Sequence, residues 1–356
     1  MEESGERRKR APGRGAVLNP AGRFEPIEIE ADPETAAEDP SPATRFYDEA
    51  SRSIITRNNS PDIPFSASLN PYRGCEHGCA YCFARPTHEY IGFSAGLDFE
   101  SKVLAKSDAP ILLRRELSSE RWEPQTLVMS GVTDPYQPVE RKLGITRGCL
   151  EVLAEARNPV AIVTKNHLVT RDADLLAELA GHGAVSVMVS LTTLDESLRR
   201  VLEPRTSPPK RRLAAIEKLS EAGVPVGVMT APIIPAVNDH ELPALLSAAA
   251  GAGARFAGHT IVRLPGAVAP VFEDWLQRNF PDRREKVLSR LRSMRGGRVN
   301  DPRFGSRMRG EGVFADQIHQ LFEISRRRAG IGEGRGSLST DYFRRPDPPG
   351  AQPRLF

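Results

Sequence analysis

The feature that most constrains the fold is a regular alternation of short apolar, β-branched runs with amphipathic, helix-like segments. Such short apolar runs are typical of strands that are buried on both faces. The predicted strands are 65–70, 126–129, 160–164, 184–190, 224–231 and 256–262. The predicted helices between them are 149–157, 172–181, 209–223 and 239–253, and several end in glycine. Repeated βα units predict an α/β fold with a parallel sheet and right-handed connections.

About six such units predict a (βα)6-type partial TIM barrel over residues 55–270, with its chemistry at the carboxyl ends of the strands. Beyond the barrel, helix-like stretches without strands predict a helical C-terminal extension over 271–330. Residues 1–50 lack apolar periodicity and are expected to form a disordered N-terminal tail. We expect residues 331–356 to form a second flexible tail.

The composition predicts a soluble globular protein. Apolar residues make up 39% and charged residues 27% of the 356 positions. No stretch approaches the ~20 consecutive apolar residues that a membrane-spanning helix needs, and the charged N-terminus does not resemble a secretory signal. We therefore expect a cytoplasmic protein with no membrane partner. The four cysteines are too few for a disulfide framework, and clustered thiols in a reducing compartment more often bind metal.

Three of the four cysteines, Cys75, Cys79 and Cys82, lie within eight residues in the sequence NPYRGCEHGCAYCFARPTH (70–88). Glycines directly before the first two allow the backbone to turn and to approach closely. A structural zinc site normally needs four protein ligands, and the remaining Cys149 lies alone in a predicted helix. Three cysteines fit a [4Fe–4S] cluster with one iron left free for another molecule.

This cysteine arrangement, C-x3-C-x-aromatic-C ahead of a series of βα units, resembles the signature of the radical S-adenosylmethionine (SAM) superfamily. With SGVTDPYQPVE (130–140), the wider sequence resembles the spore photoproduct lyase-like branch, whose members are often described as DNA repair photolyases. The resemblance covers roughly residues 55–270. It implies an enzyme in which Cys75, Cys79 and Cys82 bind the cluster and are essential for catalysis.

The resemblance also implies the chemistry and the cofactors. A reduced [4Fe–4S] cluster cleaves SAM, and the resulting 5′-deoxyadenosyl radical abstracts hydrogen from a substrate. The cofactor carries the difficult chemistry, while the protein positions it and excludes water. An electron donor of the flavodoxin or ferredoxin type is expected as a partner.

Residues at the predicted strand ends are candidates for binding SAM. By analogy with the family, Tyr81 packs near the adenine, and Ser130 and Thr133 face the amino group. Lys165 is expected to pair with the carboxylate, and Ser190 to face the ribose. Glu203, after a short predicted helix, belongs either to a loop salt bridge or to the site.

One departure from the lyases bears on the reaction. The family's lyases carry a cysteine near the end of the second strand that returns a hydrogen atom to the product radical, and residues 129–134 contain none. Cys149, Tyr136 and Tyr72 are the alternatives for a hydrogen donor. The usual Gly-Gly-Glu motif of the family is also absent.

The sequence leaves the substrate class open. The first hypothesis is a nucleic acid, which the arginine-rich segment 282–310, with ten Lys/Arg and three Asp/Glu, would contact. The second is a peptide or a small metabolite. A non-catalytic iron–sulfur redox protein and a zinc module are the remaining alternatives.

Overall fold

A computed structural model of the chain describes residues 13–24, 43–129, 131–334 and 336–350. Its strands are β1 (Arg45–Asp48), β2 (Ile55–Arg57), β3 (Ala67–Leu69), β4 (Tyr72–Arg73), β5 (Lys102–Ala105), β6 (Leu127–Met129), β7 (Val160–Thr164), β8 (Val185–Ser190), β9 (Val226–Ile233) and β10 (Phe256–Ile261). The six predicted strands correspond to β3 and to β6 through β10, so the alternation identified the strands of the barrel.

The helices of the described residues surround and extend this barrel. They are α1 (Leu97–Ser101), α2 (Ala109–Ser118), α3 (Glu140–Leu143), α4 (Ile145–Ala156), α5 (Ala173–Gly181), α6 (Glu196–Leu202), α7 (Pro209–Glu221), α8 (Leu242–Gly251), α9 (Val268–Asn279), α10 (Pro281–Ser293), α11 (Ser306–Arg309) and α12 (Val313–Arg328). Short 3-10 helices cover Arg85–Ile91, His167–Asp172 and Asp239–Glu241.

Within the described residues, the main sheet has seven strands in the order β10-β9-β8-β7-β6-β3-β2. All neighbours pair in parallel except β2, which pairs antiparallel with β3 at the edge. Ala67 pairs with Leu127, and Leu127 pairs with Val160, so these strands start level with one another. The partial barrel predicted from the sequence is confirmed, and the carboxyl ends of its strands meet at one rim.

A second sheet, with the order β1-β5-β4, was not predicted. Its strands are short, and β1 is exposed along its length, so none of them carries the apolar run that marks a barrel strand. This sheet matters for the site because β4 ends at Arg73, directly before the cysteines. The backbone N–H of Cys75 donates to the carbonyl of Phe99 (2.9 Å), which ties the loop to α1.

The C-terminal region is helical, as expected, and it packs on the barrel. The indole Nε1 of Trp275, in α9, donates to the carbonyl of Val201 at the end of α6 (2.7 Å). The division of the chain at residue 270 stays a prediction. Among the described residues, no helix is long and apolar enough to cross a bilayer.

Parts of the two predicted tails have defined contacts. Arg14 and Ala16 are buried, and residues 45–48 form β1. Residues 1–12 and 25–42 lie outside the described residues. At the other end, Ser339 N donates to Gly183 O (3.0 Å), and Arg344 N donates to Ala156 O (2.8 Å). These contacts are backbone hydrogen bonds, which composition alone does not reveal.

Candidate functional site

The loop that carries the three cysteines is shaped by two glycines. Gly74 has a φ of 76° and Gly78 a φ of 64°, the left-handed region that glycine adopts at little cost. A Cβ on Gly78 would lie 2.6 Å from the Glu100 carboxylate, and one on Gly74 would lie 2.8 Å from the His88 ring. Both glycines are therefore required, as the sequence predicted, for the turn and for the close approach.

The three thiols are free and largely buried in this loop. Cys75 and Cys79 are each 7% exposed, and Cys82 is partly exposed. Burial raises the pKa of all three thiols, and for Cys75 the nearby charges of Asp134 and Cys79 raise it further. Thiolates in such a place need a bound cation, because their charges repel one another.

The geometry bears on which cation the thiols could hold. Among the residues that the structure describes, no three His, Cys, Asp or Glu side chains are close enough together to hold one metal ion. Three soft thiolate donors on one loop do fit an iron–sulfur cluster, which is larger than a single ion.

A buried ion pair between Arg85 and Glu100 supports the cysteine loop. Arg85 is fully buried, and its guanidinium donates twice to the carbonyl of Cys79 (3.1 and 2.8 Å). The same group donates to the carboxylate of Glu100 (2.5 Å) and lies 5.4 Å from the ring centre of Phe99. Because all partners are buried, this pair fixes the turn between the second and third cysteines.

A second buried carboxylate, Glu203, gathers residues from several strand ends. The hydroxyl of Tyr81, from the cysteine loop, donates to it, as does the hydroxyl of Thr192 (2.7 Å). The ammonium of Lys165, at the end of β7, lies 3.2 Å away, and Arg212 of α7 donates at 2.5 Å. We call Tyr81, Lys165, Thr192, Glu203 and Arg212 the Glu203 cluster.

The charges of the Glu203 cluster leave one positive charge unmatched, because two cations face one carboxylate. Burial alone would raise the pKa of Glu203, but Arg212 and Lys165 lower it below its ordinary value, so the carboxylate is ionised. Lys165 also donates to the Ser190 hydroxyl (2.6 Å) and lies 5.7 Å from the ring centre of Tyr81. The arrangement can therefore accept a further carboxylate beside an aromatic ring.

Asp134 connects the cysteine loop with the end of β7. One of its oxygens accepts from the Thr164 hydroxyl (2.7 Å), and the other accepts from the backbone N–H of Lys165 (2.7 Å). The His77 ring lies 3.3 Å from the second oxygen. Although burial favours the neutral acid, His77 and these hydrogen bonds lower the pKa of Asp134. The residue is more than the simple turn start that its sequence, Asp-Pro, suggests.

The structure brings some of the predicted SAM-binding residues together and not others. Tyr81, Lys165 and Ser190 meet at the Glu203 cluster. The hydroxyl of Thr133 is bonded elsewhere and donates to the carbonyl of Tyr72 (3.2 Å). Ser130 lies outside the described residues.

Sequence reasoning left Glu203 undecided and missed Arg212. Glu203 follows a short predicted helix and has no motif around it, and Arg212 is one of several charged residues on a predicted helix. The only available signal was the position of Glu203 after a strand and its short helix. Their pairing in space depends on how α7 packs against β8.

The three candidate hydrogen donors, Tyr72, Tyr136 and Cys149, are all fully buried in the core. The Tyr72 hydroxyl donates to Glu140 (2.5 Å), and burial raises its pKa. Tyr136 is fully buried, and burial followed by the charge of Asp172 raises its pKa. Cys149 is also fully buried, within α4, as expected. No hydrogen bond or ring contact joins these three groups to the Glu203 cluster in the described part of the chain.

Comparison with known proteins agrees with this architecture. The family model of the radical SAM superfamily matches residues 69–249. An uncharacterized protein of Mycobacterium bovis is 38% identical over 254 residues, which cover 70% of this chain and 73% of the relative. An uncharacterized protein of Acidianus two-tailed virus is 33% identical over 176 residues, 47% of this chain and 56% of the relative.

Among solved structures, spore photoproduct lyase in complex with a dinucleoside spore photoproduct is similar in fold, with a TM-score of 0.59, 16% identity and 80% coverage of each chain. A second lyase structure gives a TM-score of 0.56 at 16% identity, again over 80% of each chain. Enzymes of the matched family use a [4Fe–4S] cluster and SAM and need a reductant. The fold, the cysteine loop and the match over half the chain agree: this protein is an enzyme of the radical SAM superfamily.

Proposed function

We propose that Cys75, Cys79 and Cys82 hold the cluster, and that SAM binds between them and the Glu203 cluster. The observation that carries the proposal is the meeting of Tyr81 with Lys165 at one buried carboxylate, Glu203. Residues from the cysteine loop and from the end of a barrel strand thus share one buried anion. A ligand of both the iron–sulfur cluster and the strand ends is expected beside that anion, at the carboxyl ends of the strands.

When bound, the cluster and SAM supply a 5′-deoxyadenosyl radical that abstracts hydrogen from the substrate. The residues of this chain bind and orient. Lys165 pairs with the carboxylate of SAM, because the Glu203 cluster has one positive charge that its own carboxylate does not match. Glu203 holds the hydroxyl of Tyr81, so the ring keeps a fixed face toward the adenine. Ser190 lies 2.6 Å from the same ammonium, where it can hydrogen-bond the ribose or the carboxylate.

The end of β6 is proposed to face the amino group of SAM. The Thr133 hydroxyl donates to Tyr72, but its lone pairs remain able to accept from an ammonium. Ser130 is proposed for the same role on its position in the sequence alone. As the reductant we propose a small electron carrier of the flavodoxin or ferredoxin type.

The first experiment tests for radical SAM chemistry in this chain. The protein is reconstituted anaerobically with iron and sulfide, and is then given SAM and dithionite. We expect 5′-deoxyadenosine to form, and Cys79→Ala to abolish it. Iron and sulfide without any cleavage of SAM would instead indicate an electron carrier, and zinc in place of iron would remove the proposal altogether.

For the substrate we propose a nucleic acid, because aromatic rings and arginines lie beside the cysteine loop. Phe83 directly follows Cys82, its side chain is 53% exposed, and the guanidinium of Arg263 lies 5.6 Å from its ring centre. Phe304 is 57% exposed with Arg307 at 4.7 Å. Burial followed by the charge of Arg307 lowers the pKa of Arg263, so the two pairs are neighbours. Bases stack on such rings and guanidinium planes.

Two of these residues, Phe304 and Arg307, belong to the arginine-rich segment 282–310. Most arginines of that segment, Arg307 included, have partners within the chain, and Arg307 donates to both carboxylate oxygens of Asp62 (2.6 and 2.5 Å). Arg290 pairs with Asp239 (3.3 Å) and Arg292 with Glu285 (3.0 Å), while Arg295 is buried and donates to the carbonyl of Val262. The proposed nucleic-acid surface is Phe83, Arg263 and Phe304, with Arg307 held beside Phe304 by its ion pair with Asp62. The dinucleoside bound by the similar lyase supports the same class of substrate.

The second experiment measures the binding of a fluorescent single-stranded oligonucleotide across a salt series. We expect affinity to fall as salt rises, and Phe83→Ala to weaken binding by about tenfold, since a stacked base contributes roughly 1–3 kcal/mol. Tyr342→Ala is the matched control. Tyr342 is also 53% exposed, but its ring packs at a tilt against His182, before the amino end of β8. Equal effects, or no binding at low salt, would point to a peptide or a small metabolite.

A further inference from the structure

Residues 14–20, upstream of the matched family region, run along the cysteine loop and α1. We call this segment the N-terminal strap. The backbone N–H groups of Gly15 and Ala16 donate to the carboxylate of Glu100 (3.0 and 2.7 Å). The guanidinium of Arg14 donates to the backbone carbonyl of Glu100 (2.8 Å).

The far end of the strap is held to the start of α1. The backbone N–H of Leu97 donates to the carbonyl of Leu18 (3.0 Å). Asn19 and Asp98 exchange two hydrogen bonds (3.2 and 3.0 Å). Because the contacts involve backbone groups on both sides, the strap has one specific register against α1.

Glycines allow the strap to lie directly on its neighbours. A Cβ on Gly15 would be 1.8 Å from the carbonyl oxygen of Gly78, inside the cysteine loop. A Cβ on Gly96 would be 1.7 Å from the carbonyl oxygen of Leu18. No larger residue fits at either position without displacement of the backbone.

The same carboxylate links the strap with a cysteine. Glu100 accepts from Gly15 and Ala16 on one side and from Arg85 on the other, and Arg85 in turn holds the carbonyl of Cys79. Glu100 is fully buried, so its carboxylate oxygens need these donors in place of water. Without the strap, the carboxylate would lose two of the hydrogen bonds that fix it.

We propose that the N-terminal strap is part of the site that holds the iron–sulfur cluster. Glu100 is the positioning residue that connects the strap to the cysteine loop. Through Glu100 and Arg85, the strap sets the turn that carries Cys79, so strap docking and cluster binding stabilise each other. This inference rests on the proposed cluster at the three cysteines. Coupling between two sites is reciprocal, so each partner can be used to detect the other.

The first test uses the wild-type chain with and without its cluster. Trypsin cleavage after Arg14, which is 5% exposed, reports undocking of the strap, and cleavage after the exposed Arg328 is the reference. We expect the loaded protein to be cut after Arg14 about tenfold more slowly than the apoprotein, within the usual range for coupled sites. Equal rates in the two forms would overturn the inference.

The second test compares Gly15→Ala with Gly251→Ala, whose added Cβ meets nothing within 4 Å. The readouts are the rate at which a chelator removes iron and the electron paramagnetic resonance spectrum of the reduced cluster. We expect Gly15→Ala to release iron about tenfold faster, again within the range for coupled sites, and to alter the spectrum, with Gly251→Ala like wild type.

Unchanged iron release and an unchanged spectrum in Gly15→Ala would contradict the inference. If Gly15→Ala does not fold, the wild-type proteolysis still decides. Failure of the wild-type chain to take up iron and sulfide would instead refute the proposed cluster, so the two failures are distinguishable.

Discussion

The ammonium of Lys165 and the carboxylate of Glu203 lie 3.2 Å apart at the rim of the barrel. The oxygen that faces Lys165 also accepts from Tyr81, which belongs to the cysteine loop. One buried charge thus ties the end of β7 to the loop between the second and third cysteines. A change at Glu203 should consequently affect both elements.

Replacement of Glu203 by glutamine should destabilise the apoprotein strongly. The substitution leaves Arg212 and Lys165 without their common anion, and loss of one partner from a buried ion pair costs about 3–5 kcal/mol. Chemical denaturation of the apoprotein measures the free energy of unfolding. Glu196→Gln is the control, because Glu196 pairs with Arg199 and Arg200 at the surface and should cost at most about 1 kcal/mol. Similar losses in the two variants would contradict a buried ionised Glu203.

The variant Lys165→Met should weaken SAM binding without preventing cluster assembly. Loss of one charge from a desolvated pair costs about 2–5 kcal/mol, which corresponds to at least about thirtyfold in Kd. Equilibrium dialysis of reconstituted protein with labelled SAM measures the affinity. Lys218→Met removes an exposed lysine of α7 and should leave Kd unchanged. A wild-type Kd in Lys165→Met would exclude the proposed carboxylate contact.

Alanine at Gly78 should prevent normal loading of the cluster. Gly78 and Gly144 have nearly the same positive φ, 64° and 66°, so alanine at either costs about 1–2 kcal/mol from the backbone. Only at Gly78 would the new Cβ meet a fixed group, the Glu100 carboxylate at 2.6 Å, whereas Gly144 has nothing within 4 Å. Iron per chain after reconstitution should fall in Gly78→Ala and not in Gly144→Ala. Full iron content in both would show that the loop tolerates displacement.

Stability of the apoprotein should fall as the pH decreases from about 6.5 to about 4 because of His88. Burial lowers the pKa of His88 from 6.5 to about 4, and its Nε2 lies 2.8 Å from the carbonyl of Lys102. The unfolded chain binds a proton in this window and the folded chain does not, so protonation favours unfolding as the pH falls. A full shift corresponds to roughly 3 kcal/mol. Above pH 6.5 the contribution is constant.

The check on His88 is a series of denaturation curves between pH 4 and 8 for wild type and His88→Gln. The variant should lose this part of the pH dependence, whatever its absolute stability. Parallel curves for the two proteins would show that His88 does not titrate below its ordinary range in the folded state.

The site was predictable from sequence to the extent that it depends on local patterns. Cys75, Cys79 and Cys82 share one loop, and the glycines before the first two adopt the left-handed turn that only glycine allows at little cost. Lys165 and Ser190 follow apolar runs, and the common rim of parallel strands brings them together. The second sheet escaped prediction, since its short strands carry no apolar run.

The sequence by itself determined the parallel barrel and the three-thiol loop, because apolar periodicity and close cysteine spacing are encoded within short segments. Only the tertiary structure decided that Glu203 and Glu100 are the two carboxylates that organise the site. Each is ordinary in its own segment. Its role comes from buried donors of distant segments, Lys165 and Arg212 in one case and Gly15 and Arg85 in the other, and burial is what makes such pairing necessary.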